Sequence, residues 1–369
     1  MGAARSVTDR YAIRDFDWTL ICLSVLIAVL GLVEIYSATL NTAWQDAYLR
    51  QLIWVVLGIV LMWMVSTTDY NWWVKHVPSF YIASLALLLI VAVFGHVEGG
   101  SRRWLLLPGG MRLQTSEFVK VVLVLLVAYA LGDLPRERIT ASTLTWLVAM
   151  FALMVLVVAA QPDLSTSLSY VPILGIGIWT AGIRWKYLVV IVLLVAMALP
   201  LGWHSLEPYQ KERLVTYMNP ESDPRDTGYQ SIQSRIAVGS GEIWGKGFAR
   251  GTQTQLRFLP TPHTDFIFAA YAEESGFAGV FVALTLYFAL LMKIVSNARV
   301  AIDNTGMYLC MGVAALLFFH VVVNIGMVIG RMPVTGLPLP LMSYGGSNTV
   351  TTFVLLGLVN SVWQRRFTN

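Results

Sequence analysis

Three carboxylates interrupt the stretch LPTPHTDFIFAAYAEESG, Leu259 to Gly276, which otherwise opens a long apolar run: Asp265, Glu273 and Glu274. Four more charged groups, Glu34, Glu117, Lys120 and Asp163, lie within or at the edge of other apolar runs. Each costs several kcal/mol on a lipid face, so such groups point inward, pair, or line water. Carboxylates in water-lined hollows do proton work, and cations beside them bind anions. Glu117 and Lys120 are three residues apart and share a helix face, which also suits a plain buried ion pair. Asp163, in QPDLSTS, and Asp265, after Thr264, each stand where a carboxylate could cap a helix N-terminus. Glu273 lies about 12 Å further along the same helix and is rotated away, so it need not cooperate with Asp265.

Arginines supply the opposite charge. Arg102, Arg103 and Arg112 crowd one connection, GGSRRWLLLPGGMRLQTSE, Gly99 to Glu117. Anchoring to lipid head groups and an outward-facing anion site both account for them. Acids and cations together describe an outward-opening cavity. That suits an enzyme acting on an anionic membrane lipid, and it equally suits a flippase or transporter for one.

The elements that must position these groups are membrane helices. The 369 residues are 57% hydrophobic and only 12% charged, with a mean hydropathy of +0.67, far from soluble composition. Ten runs approach the roughly 20 apolar residues of a spanning helix: 18–38, 52–67, 77–97, 117–134, 142–160, 168–183, 187–203, 265–295, 306–330 and 348–363. The eighth is long enough to break near Gly276 and Gly279. The first run is too long for a signal-peptide core and is expected to stay as an anchor. With both termini in the cytoplasm, the inside segments hold twelve Lys and Arg and the short outside loops five, as the positive-inside rule requires. The fold expected is therefore an all-α polytopic membrane protein of about ten transmembrane helices. It forms one domain over 1–369, with one long extracytoplasmic loop, 204–264, between helices 7 and 8. An amphipathic helix is expected over Gly228 to Glu242 of that loop. Cys22 and Cys310 read as buried reduced thiols, and the net charge of +4 gives no sign of nucleic acid. Pro333, Pro338 and Pro340 in RMPVTGLPLPLMSYGGS preclude an ordinary helix, and irregular backbone at a membrane edge lines a cavity.

Over nearly its whole length the chain resembles the SEDS family (shape, elongation, division and sporulation). The motifs that carry this are RRWL with RLQTSEFVK, AAQPDLSTS, MNPESDPRDTGYQSIQSRIAVGSGEIWGKGFARGTQTQLRFLPTPHTDFIFAAYAEESG and VNIGMVIGRMPVTGLPLPLMSYGGSNT. Thr115 replaces a Pro usual in the family, and Ser165 a Gly. GTQTQLRFLP, QSRIAVGSG and LPLPLMSYGGS favour the cell-elongation branch over the division branch. The resemblance implies a peptidoglycan glycosyltransferase of the cytoplasmic membrane that polymerises the undecaprenyl-pyrophosphate disaccharide lipid II. It implies a class B penicillin-binding protein and other elongation-complex membrane proteins as partners. Within the motif HTDF it makes Asp265 the general base on the acceptor hydroxyl. Arg103, Arg112, Lys120 and Arg213, with Arg235 a further candidate, become the cations for the pyrophosphate, and Glu117, Lys120 and Asp163 a central polar cavity. Asp163 and Glu117 are also the acids that could hold a divalent cation, Mg or Mn, although no ligand spacing demands one.

Overall fold

The computed structural model describes residues 15–40, 42–98, 101–106, 112–134, 139–205, 207–219, 223 and 227–367. The basic residues Arg5, Arg10, Arg14, Arg136 and Arg138 lie outside this set.

Each of the ten expected runs is helical. The first five are α1 (Trp18–Thr39), α2 (Ala47–Thr67), α4 (Val77–Phe94), α5 (Thr115–Leu131) and α6 (Ala141–Ala159). A short α3 (Tyr70–Lys75) precedes α4. The sixth run is split into α7 (Leu164–Leu168) and α8 (Val171–Thr180), where Pro172 in the first turn of α8 lacks the N–H that would continue α7. The remaining runs are α9 (Trp185–Ser205), α13 (Ile267–Arg299), α14 (Asn304–Val328) and α15 (Gly346–Gln364). Six of these helices, α1, α2, α4, α6, α13 and α14, are long and apolar enough to cross a membrane by themselves. The chain is a polytopic helical membrane protein.

Two central helices fall outside that set, α5 because it has only 17 residues and α15 because it is rich in polar ones. Almost every side chain of α5 is buried, and α15 turns Ser347, Asn348, Thr349, Thr351, Thr352, Asn360 and Ser361 into the interior. The polar groups of α15 meet protein and not lipid, so composition alone understates that helix. Around this core α2 packs on α15, α14 on α5, α8 and α13, and α1 on α13. The close approach of α1 to the segment after Pro340 depends on Gly31, where an added Cβ would lie 2.5 Å from Met342 O.

Two features depart from the sequence reading. The Gly99–Glu117 connection is part of a small antiparallel sheet of β1 (His96–Glu98), β2 (Ser101–Leu106) and β3 (Arg112–Gln114), with Trp104 opposite Gln114. The third run accordingly ends as helix at Phe94, because Gly95 turns extended. And Cys22 is exposed on α1, while Cys310 is buried as expected; both are free thiols.

The long loop carries α10 (Pro208–Met218), α11 (Thr227–Ser240) and α12 (Thr252–Gln255). The expected amphipathic segment is α11, which lies against α13 and α14. Helix α13 breaks at Gly276, whose φ of 64° and ψ of −167° only glycine adopts readily. The break frees two amides that the loop then satisfies: Phe277 N donates to Glu242 O at 2.9 Å and Ala278 N to Ile243 O at 3.0 Å.

Candidate active site

The acids beside the Gly276 break serve the architecture. Glu273 is fully buried and accepts from Lys246 Nζ at 2.7 Å, Gln253 N at 3.0 Å and Thr252 Oγ1 at 3.1 Å. Glu274 accepts from Ser37 Oγ at 2.6 Å and Ala249 N at 3.0 Å. The two carboxylates thus fasten residues 246–254 of the loop to α13, and Glu274 adds α1.

Asp265 is placed differently. The N-cap position of α13 is Phe266 and no side chain caps that helix, so the capping arrangement open to Asp265 is not the one adopted. Its carboxylate instead lines a cavity of about 440 Å³. The turn that holds it is nailed to the irregular segment predicted from the prolines. Asn324 Nδ2 donates to Asp265 O at 3.0 Å and to Leu337 O at 2.8 Å, and Ser343 Oγ donates to Thr264 O at 2.7 Å. A Cβ built on Gly336, at φ 73°, would stand 3.6 Å from Asp265 Oδ2. The segment therefore runs along the carboxylate, as irregular backbone lining a cavity does. Burial pushes the Asp265 carboxyl above the ordinary carboxylate range, while Arg213 and then Arg103 pull it back down. The neighbouring His263 packs 5.3 Å from Trp44 and 5.8 Å from Tyr344 between ring centres. Burial drops its pKa to about 4, so at neutral pH it is uncharged beside the Asp265 turn.

Asp163 organises the opposite side. It caps α7, accepting from Thr166 N at 3.4 Å, and also accepts from Arg103 Nη1 at 3.2 Å, Gln114 Nε2 at 2.8 Å and Ser116 Oγ at 3.3 Å. It thereby ties β2, β3 and the start of α5 together, and Gln114 N donates to Ser347 Oγ of α15 at 2.8 Å. Arg103, Arg213, Asp163, Glu117 and Asp265 all line the one cavity.

Three candidate cations stand elsewhere or lie outside the described set. Lys120 is buried behind the wall, where its ammonium donates to Glu117 Oε1 at 2.7 Å and reaches His320 Nε2 at 3.2 Å. Arg112 pairs with Leu106 through the β2–β3 ladder, but its side chain is outside the described set. Arg235, on α11, packs its stem against Gly330 and away from the cavity. Ser343 braces the Asp265 turn, whereas Ser347 does line the hollow.

His320, Asn324 and Gln114 escaped the sequence reading. The first two are polar residues inside the apolar run FFHVVVNIG, and the rule that flagged buried charges would have flagged them as well. For a divalent metal, the described residues contain no group of three His, Cys, Asp or Glu side chains able to hold one. Asp163, the acid most suited to it, already accepts from four donors. The protein side chains do not by themselves fit a metal there.

Comparison with known proteins agrees with the motifs. Residues 17–367 match the family model of the FtsW, RodA and SpoVE cell cycle proteins. The peptidoglycan glycosyltransferase MrdB of Escherichia coli K12 is 39% identical over 349 residues, 93% of either chain. The peptidoglycan glycosyltransferase RodA of Treponema pallidum is 30% identical, covering 96% of this chain and 99% of that one. Among solved structures, a chain of a peptidoglycan synthase complex that coordinates polymerization and crosslinking superposes with a TM-score of 0.79 at 32% identity, over 96% of this chain and 99% of that one. Rod shape determining protein RodA of Thermus thermophilus gives a TM-score of 0.69 at 29% identity, over 96% and 98%. With the family model matching residues 17–367 and these relatives 30–39% identical over more than nine-tenths of the chain, the chain belongs to the FtsW/RodA/SpoVE cell cycle protein family, the SEDS family.

Proposed function

We propose that the chain is a peptidoglycan glycosyltransferase of the cytoplasmic membrane, polymerising lipid II during cell elongation with its cavity open to the outside. The observation that carries the reading is one cavity bringing a half-buried carboxylate, Asp265, together with the guanidinium groups of Arg103 and Arg213. Glycan extension needs a base for the acceptor hydroxyl, a poor nucleophile at neutral pH, and positive charge for the departing pyrophosphate. Asp265 takes the proton from the acceptor C4 hydroxyl as its oxygen attacks C1 of the donor sugar. The C1–O bond to the lipid pyrophosphate breaks with inversion. Arg103 and Arg213, with Arg112 from the adjacent strand, receive the diphosphate, since a planar guanidinium fork can take two phosphate oxygens at once. Lys120 acts from behind the wall on Glu117. Family resemblance and the likeness to a synthase complex support a class B penicillin-binding protein as partner.

The test is polymerisation of lipid II by the purified protein with that partner. Asp265→Asn should lower the rate at least about a hundredfold, the lower end of what a positioned base contributes, with folding and partner binding retained. Polymerisation by the Asn variant at the wild-type rate would overturn the assignment of the base. Lipid II crossing vesicle bilayers without any transfer would overturn the enzyme reading itself.

A further inference from the structure

Glu117, Lys120 and His320 form a chain that leaves one oxygen over. His320 Nδ1 lies 3.1 Å from Pro338 O. A carbonyl oxygen only accepts, so Nδ1 carries the proton and Nε2 presents its lone pair. That lone pair receives the Lys120 ammonium at 3.2 Å, and the same ammonium donates to Glu117 Oε1 at 2.7 Å. The irregular segment through Pro338 therefore sets the tautomer of His320, and His320 in turn sets where Lys120 and Glu117 stand. All three side chains are almost wholly buried. Glu117 lines the cavity, yet its Oε2 is buried and accepts no hydrogen bond among the described residues. An ionised oxygen left this way is costly, which marks it as waiting for a donor.

The chemistry of the donor can be narrowed. A carboxylate repels the diphosphate, which has no hydrogen to give. A metal ion would stand against the Lys120 ammonium already held by the same carboxylate. What remains is a neutral N–H or O–H. We infer that Glu117 Oε2 takes a hydrogen bond from the saccharide of the lipid-linked substrate, a hydroxyl or an acetamido N–H, and that His320 is the positioning residue that holds Glu117 for it through Lys120. This rests on the glycosyl-transfer reading above and deepens it. The cavity then divides its labour: arginines take the diphosphate, and the Glu117 side selects for an attached sugar.

The experiment uses the full chain carrying Asp265→Asn, in which transfer is silenced, and measures equilibrium binding of two radiolabelled probes. One is the disaccharide-bearing polyprenyl pyrophosphate and the other the same polyprenyl pyrophosphate without sugar. Glu117→Gln and His320→Phe should each weaken binding of the glycosylated probe about tenfold or more, as loss of a hydrogen bond to a charged group does. Binding of the sugar-free probe should not weaken, and Glu117→Gln, which removes a negative charge, can only strengthen it. His320→Gln, whose side-chain oxygen can stand where Nε2 stood, should recover to within about threefold of the parent. The double variant should bind no more weakly than Glu117→Gln alone, since both act through one contact. Unchanged binding of the glycosylated probe, or equal loss of both probes, overturns the inference. So does a magnesium-dependent gain in binding that Glu117→Gln abolishes. A wild-type protein that binds the glycosylated probe in this pattern but never polymerises it overturns the transfer reading and leaves the sugar contact standing.

Discussion

As the base proposed above, Asp265 works at a disadvantage that its neighbours partly offset. Burial raises its pKa, and Arg213 and Arg103 oppose the rise. A base must be ionised to accept a proton, so polymerisation should fall on the acid side at a pH above the ordinary carboxylate range. Replacing Arg213 with Gln removes the larger opposing charge, and the acid limb should then move to higher pH. Rate profiles on the two proteins check this, and a limb that stays put or moves down contradicts it. His263, with its pKa near 4 and its ring packed on Trp44 and Tyr344, is neutral throughout that range. His263→Phe should therefore leave the position of the limb alone even if it lowers the rate. Among the three acids of the opening stretch, chemistry and architecture are divided by surroundings. Asp265 lines a hollow, whereas Glu273 is held by donors from the loop and Glu274 by donors from the loop and α1.

The break in α13 and the loop docked into it are one device at the scale of elements. Gly276 interrupts the helix, and Glu242 O and Ile243 O take over the freed amides. A Cβ on residue 276 would stand 2.3 Å from Gly245 N in a backbone region that only glycine occupies easily. Gly276→Ala should cost about 2 kcal/mol or more, through strain and collision together, read as a lowered unfolding midpoint in detergent. Glu273→Gln attacks the same joint from its buried charge. Losing charge-assisted bonds to Lys246, the Thr252 hydroxyl and the Gln253 and Thr254 amides should cost about 2 kcal/mol. The loop over 246–254 should become cleavable by protease while the helical signal stays intact. Protease resistance equal to wild type would show that Glu273 does not hold the strap. The β1–β3 sheet performs a parallel task on the other side, carrying Arg103 to Asp163.

Across the whole molecule, packing of the bundle and shaping of the cavity are the same event. Met342, against which Gly31 of α1 closes, adjoins Ser343, whose hydroxyl braces the Asp265 turn. Gly31→Ala would force the α1 backbone and Met342 apart where neither is a flexible side chain. Overpacking of this kind costs about 1–3 kcal/mol. Polymerisation should decline along with thermal stability, although residue 31 touches no part of the cavity. Thermal stability and rate measured on the same preparation test this coupling, and a destabilised variant with undiminished activity would break it. At the far end Asp17 joins three helices, accepting from Asn297 Nδ2 at 2.8 Å and pairing with Lys293 at 3.1 Å, while its own amide donates to Asn360 Oδ1 at 2.9 Å.

The membrane class, the ten apolar runs, the break near Gly276 and the irregular proline segment were all legible in the residues, because lipid forbids unsatisfied backbone and charge along a continuous run. Those rules act locally, so a single chain displays them. The motif around Asp265 was legible too, through resemblance. What the sequence left open was every choice between partners: capping or cavity for Asp265, phosphate or ion pair for Lys120, pairing or lining water for Glu273 and Glu274. Each turns on atoms far away in the chain, such as His320 against Lys120 or Gln253 against Glu273. The sheet that delivers Arg103 was hidden for the same reason, its strands being too short to show a period. Only the tertiary structure decides such matters, since a buried charge takes its role from whatever the fold sets beside it.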